Sequence, residues 1–141
     1  MVLAVTYDPP GSNIADNVLM PLDWKSAPLA EGLACYRNKQ FFEAHEHWES
    51  AWLTLQEPEK SFLQALIQMT AAFHHLHTGN TIGACSLLRR TLRRLEACPT
   101  CYGGIFVTPT THEIRAWLQS IETGSATPSA FPQISPLDSP D

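Results

Sequence analysis

Apolar side chains recur at helical spacing in five stretches of the chain, and almost nowhere do they alternate as a strand would require. The first helix is expected from Ser26, as N-cap, to Tyr36, with Leu29, Leu33 and Tyr36 on one stripe and Asn38 closing it. The second covers about Gln40 to Leu55, carrying Phe41, Ala44, Trp48, Trp52 and Leu55 inward. Gln56-Glu57-Pro58-Glu59 is a start signal, because proline fits a first turn and acids suit the positive end of the helix dipole. The third helix then runs to about Thr78 and stops at Gly79. Asn80 can cap a fourth, Thr81 to Ala97, with Ala84, Leu88, Leu92 and Leu95 inward. Thr110 with Glu113 three residues later forms a capping box for a fifth that presents Ile114, Trp117, Leu118 and Ile121.

This pattern predicts an all-α fold, a compact bundle of about five helices. Short turns join helices one and two, and likewise three and four, so each pair is expected to pack antiparallel. The rhythm of these two hairpins is tetratricopeptide-like, although that repeat's full period is not met. Residues 1–25 are expected as an irregular arm pinned by Leu19, Met20, Leu22 and Trp24, residues 26–123 as the single helical domain, and 124–141 as a proline-rich tail. Gly103-Gly104 is read as keeping its loop irregular, and Ile105-Phe106-Val107, the one hint of a strand, has no partner of similar quality.

Composition narrows the picture. The chain has 141 residues, 44% apolar and 16% charged, enough for a real hydrophobic core. A net charge of -5 argues against general affinity for nucleic acid or anionic membrane. No apolar run approaches the roughly 18 residues that span a bilayer, and the first ten lack the Lys or Arg of a signal peptide. A cytoplasmic protein is the expectation, with Cys35 and Cys85 as small buried hydrophobes rather than disulfide partners.

Chemistry concentrates in residues 41–80. His45 and Glu49 lie four apart on the second helix, on a face between Trp52 and Phe42 with Leu53, while Glu46 stands at its margin and Glu43 and His47 point to water. The third helix is apolar over most of its circumference, yet Gln64, Gln68 and His75 line up on it at spacings of four and seven. Packing of the two helices can bring that strip opposite His45 and Glu49. Buried groups of this kind are costly unless bonded to one another, to a metal or to a ligand. Three readings stand open: a structural network, a small-molecule pocket, and a divalent metal site of His45 and Glu49 completed by His75 or Glu46. As an enzyme, the economical chemistry is hydrolysis or proton transfer, with Glu46 or Glu49 as base and His45 as partner. The rival is a non-catalytic interaction module that holds a partner helix or a second copy of the chain.

At Phe41-Phe42-Glu43-Ala44-His45-Glu46-His47-Trp48-Glu49, and again at Phe62-Leu63-Gln64-Ala65-Leu66-Ile67-Gln68, the chain resembles a family of small bacterial and archaeal proteins. These are grouped as domain of unknown function 309. The likeness runs from about Leu29 to Leu95. It implies an all-helical fold and places the family's signature positions on His45, Glu46, Glu49, Trp52, Gln64, Gln68, His75 and Asn80. His47 departs from the family's usual aliphatic residue, and Ala65 stands where a small residue, often glycine, is usual. The resemblance implies no activity.

Two further features carry chemistry. Cys98-Pro99-Thr100-Cys101 resembles half a zinc site, which needs four ligands, and His112 or a second subunit would have to complete it. Arg89-Arg90 and Arg93-Arg94 form a basic patch that reads as a solvated face or as partners for surplus acids, since useful phosphate affinity needs more than four arginines on an acidic chain.

Overall fold

The computed structural model describes residues 22–137, and five α-helices carry this part of the chain: α1 (Leu29–Arg37), α2 (Phe41–Trp52), α3 (Glu59–His77), α4 (Thr81–Glu96) and α5 (Val107–Thr123). Each packs on the next in sequence. The pairings are antiparallel: the start of α2 meets the end of α3 through Phe41 and Phe73, with ring centroids 5.6 Å apart. Likewise Thr91, late in α4, donates its hydroxyl to Ala65 O, early in α3, at 3.1 Å. Arg89 pairs with Glu122 and Arg115 with Glu96, tying α4 to α5 in the same sense. The fold is an all-α bundle with one very small sheet. Among the described residues, no helix is long and apolar enough to cross a membrane.

The expected third helix is the central one, and every residue from Phe62 to Phe73 is buried. Asn80 caps α4 as expected, its Oδ1 accepting from Gly83 N at 3.0 Å. Other helix boundaries differ. Ser26 is not a cap: α1 begins after Pro28, and the Ser26 hydroxyl donates to Asp23 O. α2 ends at Trp52 rather than Leu55, because Thr54 N and Leu55 N bond three residues back and tighten the exit. Pro58 stands just before the first turn of α3 instead of inside it.

The largest correction lies near α5. Val107 starts that helix, so Thr110 and Glu113 make no capping box. Thr110 is fully buried, and its hydroxyl donates to Gln133 O at 2.6 Å, while Glu113 accepts from Gln133 N at 2.8 Å. Both residues fasten the stretch expected as a proline-rich tail. Residues 125–137 return over the bundle as an extended strap, with Phe131 wedged among Phe41, Phe73 and Trp117 and Ile134 only 2% exposed. The strand hint also finds its partner: β1 (Cys101–Tyr102) pairs antiparallel with β2 (Ile105–Phe106), and Ile105 bridges further to Pro136. Gly103 and Gly104, at φ of 61° and 81°, make this two-residue turn ordered rather than irregular, since a tight hairpin needs positive φ at both positions. Leu22 and Trp24 are buried as expected, and the Trp24 indole donates to Gly103 O at 2.8 Å. Leu19 and Met20 lie outside the described residues.

Aromatic packing sets the approach of α1 to α2. Trp48, fully buried, lies across Gly32 and donates its indole N–H to Leu29 O at 3.2 Å. A Cβ at position 32 would stand 2.3 Å from Trp48 Nε1. Helix propensity alone favours Gly32→Ala by about 1 kcal/mol. The overpacking against Trp48 outweighs it, and we expect net destabilisation of about 1–3 kcal/mol, read from urea unfolding midpoints.

Candidate functional site

The second helix delivers the expected pair. His45 Nε2 lies 3.7 Å from Glu49 Oε2, with side chains 12% and 29% exposed, one turn apart on the same face. Burial pulls the imidazole below its ordinary value of 6.5, with the Glu49 carboxylate partly opposing that shift. His45 is therefore neutral at pH 7. Glu46, its neighbour at the margin, is exposed. His47, expected in water, is half-buried.

The third helix buries its two glutamines. Gln64 is 3% exposed and Gln68 fully enclosed. Neither the Gln68 amide nitrogen nor its oxygen meets a hydrogen-bond partner among the described residues. Trp52, on α2, is buried with its indole N–H in the same condition, and the Lys60 ammonium sits 4.3 Å above its ring. Each such unmade bond costs about 1–3 kcal/mol. By contrast Thr70, also fully buried on α3, turns its hydroxyl back to Ile67 O at 2.7 Å.

His75 meets Asn80. Asn80 Nδ2 stands 3.3 Å from His75 Nδ1, in the turn between α3 and α4. An amide nitrogen can only donate, so Nδ1 accepts and the ring proton sits on Nε2. Between His75 and His45 stand two further rings, which the sequence reading did not assign to the site. His45 lies beside Phe42 (6.1 Å between centroids), Phe42 beside His74 (5.4 Å), and His74 beside His75 (6.1 Å). The signal for Phe42 was its place three residues before His45, and for His74 its adjacency to His75. Among the described residues, no three or more His, Cys, Asp or Glu side chains gather as metal ligands must, His45, Glu49 and His75 included.

The same holds for the cysteine pair. Cys98 turns inward, its thiol pushed up to about 12 by burial and donating to Arg94 O, whereas Cys101 is exposed. The expected pairing of arginines with acids is seen at Arg89 with Glu122.

The depressed imidazole has a thermodynamic consequence. As pH falls below about 6.5 the unfolded chain takes up a proton at His45 before the folded one, so folding stability is full above that value and declines beneath it. Urea unfolding at pH 7.5 and pH 5 is expected to show this loss, reduced in His45→Asn, with the imidazole titrating below 6.5 by NMR.

Residues 29–87 match the model of a family described as "Domain of unknown function (DUF309)". An uncharacterised protein of Aquifex aeolicus (strain VF5) is 27% identical over 104 residues, which is 73% of this chain and 30% of that protein. The chain thus spans about three tenths of that relative's length. The matched segment holds α1, α2, α3 and the first part of α4. His45, Glu46, Glu49, Trp52, Gln64, Gln68, His75 and Asn80 all lie within the segment that matches this family model.

Proposed function

We propose that the polar strip between α2 and α3 binds a small ligand carrying both a hydrogen-bond donor and an acceptor, anchored on Gln68. The observation behind this reading is the Gln68 carboxamide, fully buried with both ends unmet among the described residues. A carboxamide offers an acceptor and a two-hydrogen donor side by side, so its complement is a group such as another amide, a carboxylic acid or a ureide. In this reading the Trp52 indole N–H of α2, also buried and unmet among the described residues, supplies a second donor. Gln64 flanks Gln68 one turn earlier. In the same reading His45 and Glu49, less enclosed than the glutamines, supply the mouth of the site.

His45 also supplies an acid–base group. Neutral at pH 7 and held by Glu49, it accepts a proton from a ligand or a water and returns it, which is the requirement for proton transfer or hydrolysis. His75 and Asn80 then act as the corner that fixes the α3–α4 turn, not as ligand contacts.

The test is Gln68→Met, close in volume and free of polar atoms. In the ligand reading, native mass spectrometry of the wild-type chain shows a small-molecule adduct that Gln68→Met lacks. The same variant is more stable by about 1–3 kcal/mol once ligand is removed, because no unmet carboxamide is left inside. A structural network predicts the reverse: no adduct on the wild type, and a lower melting temperature for Gln68→Met. That outcome defeats the reading.

A further inference from the structure

The strap rests in a groove that reads an extended peptide by its main chain. Four consecutive or near-consecutive carbonyls of the strap are each received by a side-chain donor of the bundle. The Trp117 indole donates to Ala130 O at 2.9 Å, the Tyr36 hydroxyl to Pro132 O at 2.6 Å, Thr110 to Gln133 O at 2.6 Å and Arg37 to Ile134 O at 3.1 Å. Glu113 accepts from the Gln133 amide at 2.8 Å. Donors that meet carbonyls are indifferent to the side chains those carbonyls belong to. Specificity comes from two sockets. Phe131 lies flat on Trp117, centroids 4.7 Å apart and planes 10° from parallel, and edge-on to Phe41 and Phe73. Ile134 fills the other socket, 2% exposed.

The arrangement is that of a peptide-recognition surface with its ligand attached: an aromatic residue, proline, any residue, then an aliphatic one, held extended. Packing is incomplete on one side, where a cavity of 240 Å³ is lined by Tyr36, Arg37 and Lys39 together with residues 129–134. The connection is exposed and short. Gly124 ends α5 at φ 70°, and Ser125 to Ser129 carry the chain back with every residue but Pro128 exposed.

We propose that this groove binds the segment Phe131-Pro132-Gln133-Ile134 of a second copy of the chain when its own strap is displaced. The occupant is fixed by complementarity already on view, since the segment that fits is the one the chain carries. In one molecule the strap faces its groove at an effective concentration of about millimolar, so self-occupancy wins in dilute solution. Exchange between molecules then requires crowding or a weakened strap, and the surrendered contacts are regained in the partner's groove.

The probe is a fluorescein-labelled peptide with the sequence of residues 129–136. It is titrated by anisotropy into the full wild-type chain, into Phe131→Leu, and into the double variant Phe131→Ala, Ile134→Ala. We expect saturable binding at least ten-fold tighter to the double variant than to wild type, with Phe131→Leu between them. A peptide carrying Phe131→Ala is expected not to bind. Equal affinity for the three chains, equal affinity of a scrambled peptide, or no saturable binding to a variant that circular dichroism shows folded would overturn the proposal. Where the double variant fails to fold, Phe131→Leu, which keeps an apolar side chain in the socket, decides by the same comparison with wild type. These titrations do not involve Gln68, so their outcome is independent of the small-ligand reading.

Discussion

Complete burial of the middle of α3 is the constraint on which the rest of the molecule depends. A helix enclosed on all sides gains apolar contact along its whole length, but it leaves no outlet for polar side chains. Thr70 and, on the neighbouring α4, Thr91 resolve this locally, their short hydroxyls reaching carbonyls within bonding distance. Gln68 is longer and ends in a group that needs both kinds of partner. It therefore stands out as the place where the bundle has kept polarity at a cost of the order of a whole hydrogen bond or more.

The second organising element is the row of aromatic rings that meets the strap. Phe41 and Phe73 join α2 to α3, Trp117 brings in α5, and Phe131 closes the cluster. Polar tips on the rim of that cluster, the Tyr36 hydroxyl and the Trp117 indole, turn outward to strap carbonyls. Burial pushes the Tyr36 phenol far up, so it serves only as a neutral donor. Side chains that look like ordinary core from their spacing thus have an oriented second task.

Helix number and order were legible in the sequence because five amphipathic stripes are a strong signal and their linkers are short. So was the His45–Glu49 pair, since a separation of four fixes a shared face whatever surrounds it. The cap at Asn80 was equally local. What failed required knowledge of distant partners. Thr110 and Glu113 have the spacing of a capping box, yet the chain enters the helix three residues earlier and spends both on Gln133. The strap has no period at all, and its only sequence signal was two large hydrophobes, Phe131 and Ile134, in a stretch rich in proline.

The bond between Tyr36 and Pro132 joins residues 96 apart in sequence. On a ribosome adding roughly 5–20 residues per second, about 5–20 s separate the emergence of the two. Between the end of α3 at His77 and Pro132 lie 55 residues, about 3–11 s of synthesis in which Phe41 and Phe73 are made and the strap that packs on them is not. The order of segments thus sets an interval of exposure that closes when the strap is made.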